Sequence, residues 1–467
     1  MTTASNVIPH DDDNLHARQR SETTLSSVCT YATFTGYVSI LVVANIDAGG
    51  VPASLEGIKR SVDLSYMEEG LLGAVVYIGV AGSSIVAGPV FHFLNVKWTL
   101  VLMTIVNGAA STLFALGKST IVLLMSRAVV GITQAFPIIY APVFVDTFAP
   151  KARATLWMSM VLLASPVGIM LGYAAGVFAT SLERSSPLDC VLDPWRVPLL
   201  LQGIVLLVFG AFGLLVPERH LVAGRTMSPG PLMVPSSANA FRSLVSNGVF
   251  VWTTVNLSIL YFVVTGIQFW ITVYLTEVVH ADPVQTGLAF VAISATGPTG
   301  GVVFGGWMTD LMGGYSGPRQ TLTSLKVSAV LSVLAIAACI GVMFANSLTV
   351  VMVLVFILLF AGGATVPSCT GILVSSVPPS LRSYASSISQ LSFNIFGYAL
   401  SPLLSGFVMQ ITKQRSSGFY SVLLWSLLSI PATAFGLRAA SRRLPQCPSS
   451  KSSNPSTDQD KCGETSI

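Results

Sequence analysis

The chain has 467 residues, of which 52% are hydrophobic and only 9% charged, with a formal net charge of +4 at neutral pH. So little charge excludes an ordinary water-soluble domain. Nothing in the charge balance calls for a nucleic-acid partner.

Residues 1–27 open with a polar stretch (Asp11, Asp12, Asp13, Arg18, Arg20), not an apolar signal peptide, and are expected to be disordered. Six apolar segments follow near 29–50, 70–91, 98–117, 120–146, 154–180 and 197–216, forming a unit over 28–216. A polar stretch rich in Pro, Ser and Arg occupies 217–247 and reads as a linker. Six more segments lie near 249–275, 284–309, 326–345, 348–374, 385–411 and 419–437, forming a second unit over 248–437. Residues 438–467 read as a disordered tail. About 20 apolar residues cross a bilayer as a helix. The fold class predicted is therefore an all-α membrane protein of twelve transmembrane helices in two six-helix pseudo-repeats, the organisation of a secondary transporter.

With both termini on one side, that side collects Arg18, Arg20, Lys97, Lys151, Arg153, Arg219, Arg225, Arg242, Arg319, Lys326, Arg382, Arg438, Arg442, Arg443, Lys451 and Lys461. The other side carries only Lys59, Arg60, Lys118, Arg184, Arg196, Lys413 and Arg415. The bias predicts cytoplasmic termini. It leaves plasma membrane and lysosome- or vacuole-type membrane equally open. Cys190 alone among the cysteines falls in an outer loop, so neither a disulfide nor a metal site is expected. Asn256 starts the one Asn-x-Ser/Thr motif, inside an apolar span that glycosylation cannot reach. No cofactor is expected, and no nucleophile–base constellation suggests an enzyme.

The halves echo each other at turns. Gly88-Pro-Val-Phe-His92 with Asn95 and Lys97 follows the second span, and Gly306-Trp-Met-Thr-Asp310 follows the eighth. Pro150-Lys-Ala-Arg153 follows the fourth and Pro379-Ser-Leu-Arg382 the tenth. His92, Lys97, Asp146, Arg153, Gly306, Asp310 and Arg382 are accordingly the candidate gating residues at the face carrying the termini.

An ionisable group inside a span costs roughly 3 kcal/mol or more and needs a reason. Asp47 lies late in the first span, whose helix can run on through Pro52 towards Ile58. Arg127, Gly131 and Gln134 share one face of the fourth, Arg127 about 10 Å deep at 1.5 Å per residue. This spacing places Arg127 within reach of Asp47, where an anionic headgroup or a proton would compete for the pair; a static pair that fixes packing is the alternative. Gly168, Gly172 and Gly176 after Pro166, and Gly297, Gly301 and Gly305, repeat at four-residue spacing and predict close helix packing. Tyr261, Gln268, Trp270 and Tyr274 in the seventh span, and Gln390, Asn394 and Tyr398 in the eleventh, suit a cavity for an amphipathic ligand. Interfacial anchoring is the competing role for Trp270 and Tyr274.

These residues resemble the major facilitator superfamily, and within it the spinster-like transporters. Asp47-Ala48-Gly49 is similar to the family's first-span Asp-Arg segment. Arg127-Ala-Val-Val-Gly131-Ile-Thr-Gln134-Ala135 resembles its Arg-x-x-x-Gly-x-x-Glu-Ala segment, with Ala141-Pro142 and Asp146 following. Pro166-Val-Gly168 with Gly172-Tyr173, Trp195-Arg196, and Gly397-Tyr398-Ala399 with Ser401-Pro402 and Gly406 match the fifth, sixth and eleventh spans. The resemblance implies alternating access of two six-helix bundles, a lysophospholipid or sphingolipid-like cargo, and protons as a candidate coupled partner. The departures are Ala48 for the family's Arg, Gln134 for its Glu, and a loop after the second span that keeps only Lys97 of the expected charges. Gln134 cannot titrate, so proton coupling rests on Asp47 alone and is expected to be altered or lost. An unperturbed histidine titrates near 6.5, which makes His92 a candidate pH sensor.

The expected cavity thus holds Asp47, Arg127, Gln134, Gln268 and Asn394 as substrate-binding residues, with membrane lipids around it. A transporter of a small polar solute, and a non-transporting receptor or chaperone on the same fold, remain the alternatives.

Overall fold

In the computed structural model the described residues are 12–150, 153–185, 192–221, 237–315, 317–378 and 381–443. Among them are twelve helices long and apolar enough to cross a membrane. We number them α1 (Val28–Ala53), α2 (Tyr66–Ala87), α3 (Val96–Leu116), α4 (Thr120–Val145), α5 (Leu156–Ala179) and α6 (Arg196–Leu215), then α7 (Gly248–Glu277), α8 (Pro283–Leu311), α9 (Pro318–Phe344), α10 (Leu348–Ser375), α11 (Tyr384–Thr412) and α12 (Arg415–Ser441). Each span alternates direction. An even number returns the chain to the side where it began, here called the terminal face; the opposite side is the far face.

Local chemistry sets the helix starts. Ser65 and Glu68 form a reciprocal capping box that opens α2, with Glu68 Oε2 accepting from the Ser65 N–H at 2.9 Å. The side chains of Asn95, Ser119, Asn247 and Asp282 accept N–H bonds at the starts of α3, α4, α7 and α8.

The same pairings recur in both halves. α1 packs on α5, α2 on α4 and α3 on α6; likewise α7 packs on α11, α8 on α10 and α9 on α12. Glycines permit the tightest of these approaches. A Cβ at Gly172 would fall 1.8 Å from the Ile46 carbonyl oxygen, at Gly168 2.2 Å from that of Val42, and at Gly301 2.2 Å from that of Phe360. Gly297 is looser, its nearest neighbour at 3.4 Å, and Pro166 is exposed on α5, so neither belongs to a close-packed seam.

Several expectations need correction. Residues 12–27 continue one helix, Asp12–Ala44, into the first span. Extending an existing helix avoids the cost of nucleation, so a polar flank with good helix formers prolongs it. The linker holds a turn of helix at Glu218–His220 and a helix at Ser237–Val245, and α12 reaches Ser441, inside the expected tail. Residues 1–11, 222–236 and 444–467, with Lys151 and Cys190, lie outside the described residues.

The halves join through a zipper of α2 against α11. Gly70 faces Gly406 and Pro402, Gly73 faces Pro402 and Phe269, and Tyr77 stacks on Tyr398 with ring centroids 5.1 Å apart. Residues 70, 73 and 77 share one helical face, and the register runs antiparallel to 406, 402 and 398. On the far side, α5 also packs on α8, where Gly287 meets Val177 and Tyr173 meets Phe290. Towards the terminal face the packing between halves is sparser among the described residues. Helix Arg382–Ser392 packs substantially only on its own half, and α4 and α10 make no substantial contact with each other there.

Candidate functional site

The first helix is broken where its chemistry demands it. Asn45 bends the chain between Leu41 and Ile46 and donates from its side chain back to the Leu41 carbonyl at 2.7 Å. The Ala48 N–H bonds to Asn45 instead of closing a full α-turn on Ala44. Pro52 has no N–H to give Ala48. Two carbonyls, Ala44 and Ala48, are therefore left without their helical donors at mid-depth. Gln134 of α4 donates to the first at 3.0 Å, and Gln268 of α7, from the other half, donates to the second at 3.1 Å.

Beside this break lies Asp47. Arg127 donates from Nη1 to Asp47 Oδ2 at 2.5 Å, and both residues are buried, at 3% and 4% exposure. Arg127 also donates from Nε to the Leu72 carbonyl at 3.3 Å and lies over the Phe114 ring at 5.8 Å. Every partner of this guanidinium named here belongs to the N-terminal half. Asp47 Oδ1 has no hydrogen-bond partner among the described residues, although the Gln202 amide of α6 lies next to it. Gln202 is itself buried, and among the described residues neither its amide nor Asn107 Oδ1 nor Ser111 Oγ on α3 has a hydrogen-bond partner. Sequence reasoning passed over Gln202 because a single amide in an apolar run has no periodic partner.

Of the five expected cavity residues, Asp47, Arg127, Gln134 and Gln268 converge on the first-helix break. Asn394 does not join them. Its amide donates back to Gln390 at 2.9 Å, within a π-helical segment Phe393–Ala399 of α11. Trp270 and Tyr274 are neither cavity residues nor interfacial anchors. Trp270 is fully buried and donates to Ser405 Oγ at 2.5 Å, and Tyr274 stacks on Phe419.

Among the candidate gating residues whose side chains are described, none makes a cross-half contact at the terminal face. Lys97 serves its own half, donating to the Leu214 carbonyl at the end of α6 at 3.1 Å. Gly306 faces open space, and Arg153, Asp310 and Arg382 are exposed. The side chains of His92 and Asp146 lie outside the described residues.

The charged contact between halves is at the far face. Glu69, in the first turn of α2, is fully buried. Arg415, opening α12, grips both its oxygens; Nη2 donates to Oε1 at 3.2 Å and Nη1 to Oε2. Arg415 Nε reaches Glu277 at the end of α7 at 3.0 Å, and Lys59 reaches Glu69 at 3.4 Å. The Tyr66 ring is flanked by Lys59 at 4.8 Å and Arg415 at 4.7 Å. Arg415 and Arg196 were both expected in outer loops. Both are buried, Arg196 donating to the carbonyls of Ala115 at 2.8 Å and Gly117 at 2.6 Å. A signal for Glu69 was present: Ser65 and Glu68 start the helix there, placing the next acid inside the first turn.

Residues 24–330 match the Major Facilitator Superfamily model. The chain belongs to that superfamily. It is 24% identical to a probable sphingolipid transporter, spinster homolog 2, of Arabidopsis thaliana over 77% of this chain and 73% of the relative. It is 25% identical to a sphingosine-1-phosphate transporter of Xenopus tropicalis over 85% of this chain and 76% of that one. The fold matches a bacterial homolog of a human lysosomal transporter, spinster, crystallised inward-facing and unoccupied. That match has a TM-score of 0.72 at 16% identity and covers 88% of this chain and 97% of that one. Within the superfamily the chain is spinster-like, an integral multi-pass membrane protein of a transporter family.

Proposed function

We propose that the protein carries a lysophospholipid or sphingolipid-like amphiphile across a membrane by alternating access of its two halves. The carrying observation is the asymmetry of the interface between them. The far face is joined by Glu69 and Arg415, while among the described residues Arg382–Ser392, α4 and α10 make no substantial contact between the halves on the terminal side. An interface tight on one side and loosely joined on the other supports this reading, since one half-cycle of alternating access requires such an asymmetry. The cargo class is supported by the sphingolipid transporters among its relatives.

The terminal face is assigned to the cytoplasm by its excess of Lys and Arg. Plasma membrane and lysosome- or vacuole-type membrane both remain open as its location. Units 28–216 and 248–437 are the moving bodies, joined by 217–247. Asp47 is the candidate proton site, and Gln134 in place of a second carboxylate weakens coupling. His92, Lys97, Asp146, Arg153, Gly306, Asp310 and Arg382 are assigned to the terminal-face closure made in the opposite half-cycle. Arg127 is committed to Asp47 in the present state, so its binding of an anionic cargo group requires that pair to loosen.

Uptake of labelled lysophospholipid into proteoliposomes, with and without an imposed pH gradient, tests this. Saturable uptake above protein-free liposomes is expected. A modest or absent response to the gradient is expected too, and Asp47→Asn should abolish whatever response exists. Folded protein that moves no lipid would overturn the cargo assignment and favour a small polar solute or a receptor role.

A further inference from the structure

Gln202 of α6 is buried with both of its polar atoms idle. Neither Nε2 nor Oε1 has a hydrogen-bond partner among the described residues. Packing on two sides sets its place. A Cβ at Gly203 would fall 2.4 Å from Thr112 Oγ1, so α6 lies tightly against α3. Leu199, one turn before Gln202 and on the same helical face, touches the first helix, where a Cβ at Gly50 would fall 3.2 Å from Leu199 Cδ2. The amide is thereby carried beside the Asp47 carboxylate, whose Oδ1 also has no hydrogen-bond partner among the described residues.

Leaving a buried amide unpaired is costly, and an apolar residue of the same shape would avoid that cost. The other amides of the site are committed. Gln134 holds the Ala44 carbonyl and Gln268 that of Ala48. From α5, the Tyr173 hydroxyl pairs with Thr272 of α7. Arg127 of α4 is the cation paired with Asp47, and both charges act on Tyr77 of α2. Gln202 is the neighbour that brings an uncommitted donor and acceptor to this carboxylate.

An amide suits both states that Asp47 can adopt. Nε2 donates to a carboxylate, and Oε1 accepts from a protonated carboxyl group. When Arg127 turns to an anionic cargo group, Asp47 would otherwise stand buried without its partner, and breaking a buried pair in that way is strongly unfavourable. We infer that Gln202 is the positioning residue that takes Asp47 over when Arg127 releases it, an inference that rests on the alternating-access reading above.

A cycle of thermal transitions tests this on the full chain in lipid nanodiscs, with Gln202→Leu made in three backgrounds. In the wild type it should leave the transition unchanged or slightly raised, because leucine removes two unpaired polar atoms and adds none. With Arg127→Met, or with Arg127→Lys should the first not fold, it should lower the folded-to-unfolded ratio about tenfold, since the amide then holds the carboxylate. Adding Asp47→Asn to that background should erase the loss. Equal losses in all three backgrounds would make Gln202 a packing residue, and no loss with Arg127 altered would mean that it never engages Asp47; either result overturns the inference. Gln202→Leu alone should also cut uptake of labelled lysophospholipid into proteoliposomes about tenfold with the fold intact. Unchanged uptake would overturn the inference as well. A wild type that moves no lysophospholipid would overturn the cargo assignment alone, because the thermal cycle decides the role of Gln202 without any cargo.

Discussion

Two buried ion pairs stand in this molecule at different places in the architecture. Asp47 and Arg127 lie within the N-terminal half at mid-depth, both on helices of that one half. Glu69 and Arg415 lie at the far face, each on a different half. The first acid meets one cation and keeps one oxygen unpartnered among the described residues; the second meets two cations beside an aromatic ring. A buried pair is a weak source of net stability, because desolvation cancels much of its attraction, but losing one partner is expensive. Where both partners move together, that expense falls on folding. Where they belong to bodies that separate, it falls on the equilibrium between conformations.

The largest effect expected is on folding. Arg127→Ala leaves Asp47 buried without a cation and should cost about 3–5 kcal/mol. Its thermal transition in detergent should drop sharply. Neutralising both groups, Asp47→Asn with Arg127→Gln, should recover most of that loss. If Arg127→Ala melts like the wild type, the contrast between the pairs is wrong at its base.

Glu69→Gln should act on conformation instead. Its far-face partner Arg415 keeps Glu277, so the protein should fold, while the closed far face loses its central anion. Spin labels on Lys118→Cys and Asn346→Cys, in the far-face loops of the two halves, would read the separation. A longer-distance population at least tenfold greater than in the wild type is expected, equivalent to about 1.4 kcal/mol. An unchanged distance distribution, with the fold intact, would break the latch assignment.

Glycines sharpen the same contrast with uncharged groups. Gly172→Ala drives a Cβ to 1.8 Å from the Ile46 carbonyl oxygen inside one half, and Gly70→Ala drives one to 2.3 Å from that of Pro402 across the halves. Overpacking of this kind costs about 1–3 kcal/mol. The first should lower the thermal transition. The second should widen the spin-label distance with a smaller thermal change. Gly297→Ala meets only ordinary contact distances and should be neutral or slightly stabilising.

Much of the fold was legible because bilayer spans are long and uniformly apolar, a signal that needs no tertiary context. The Asp47–Arg127 contact was legible too, since two intramembrane charges in one unit have few partners to choose from. The far-face latch was not. Arg415 reads as a loop residue when segment ends are drawn from hydropathy alone, and the span's first residue is Arg415 itself. Tyr77 is one aromatic residue in an apolar helix, and only the antiparallel register of α2 and α11 brings it to Tyr398. Gating residues read from motif positions have no cross-half contact among the described side chains by which their role could be read. The Gln268 bond to Ala48 had a signal in Pro52, which frees that carbonyl; the donor on the other half could be found only in three dimensions.

The smallest effect concerns an exposed pair that marks the lower limit of the contrast. Asp193 lies just before α6 and accepts from Arg196 Nε at 2.8 Å, and its side chain is 49% exposed. The bond from Arg196, opposed by partial desolvation and aided by Ser61, holds its pKa below the usual carboxylate value. A depressed pKa means that the folded state binds this proton less readily than the unfolded one. The contribution is therefore complete above the ordinary value near 3.9 and fades as pH falls through the lowered one. Solvent screens a pair this exposed, so Asp193→Asn should cost about 0–1 kcal/mol at neutral pH. Only well below that lowered pKa, where the wild-type carboxyl is also neutral, should the difference vanish. Thermal transitions of the wild type and variant across that pH range would check it. A large loss at neutral pH would mean that Asp193 orders Arg196 under the Ala115 and Gly117 carbonyls, making this pair a third structural site instead of a surface one.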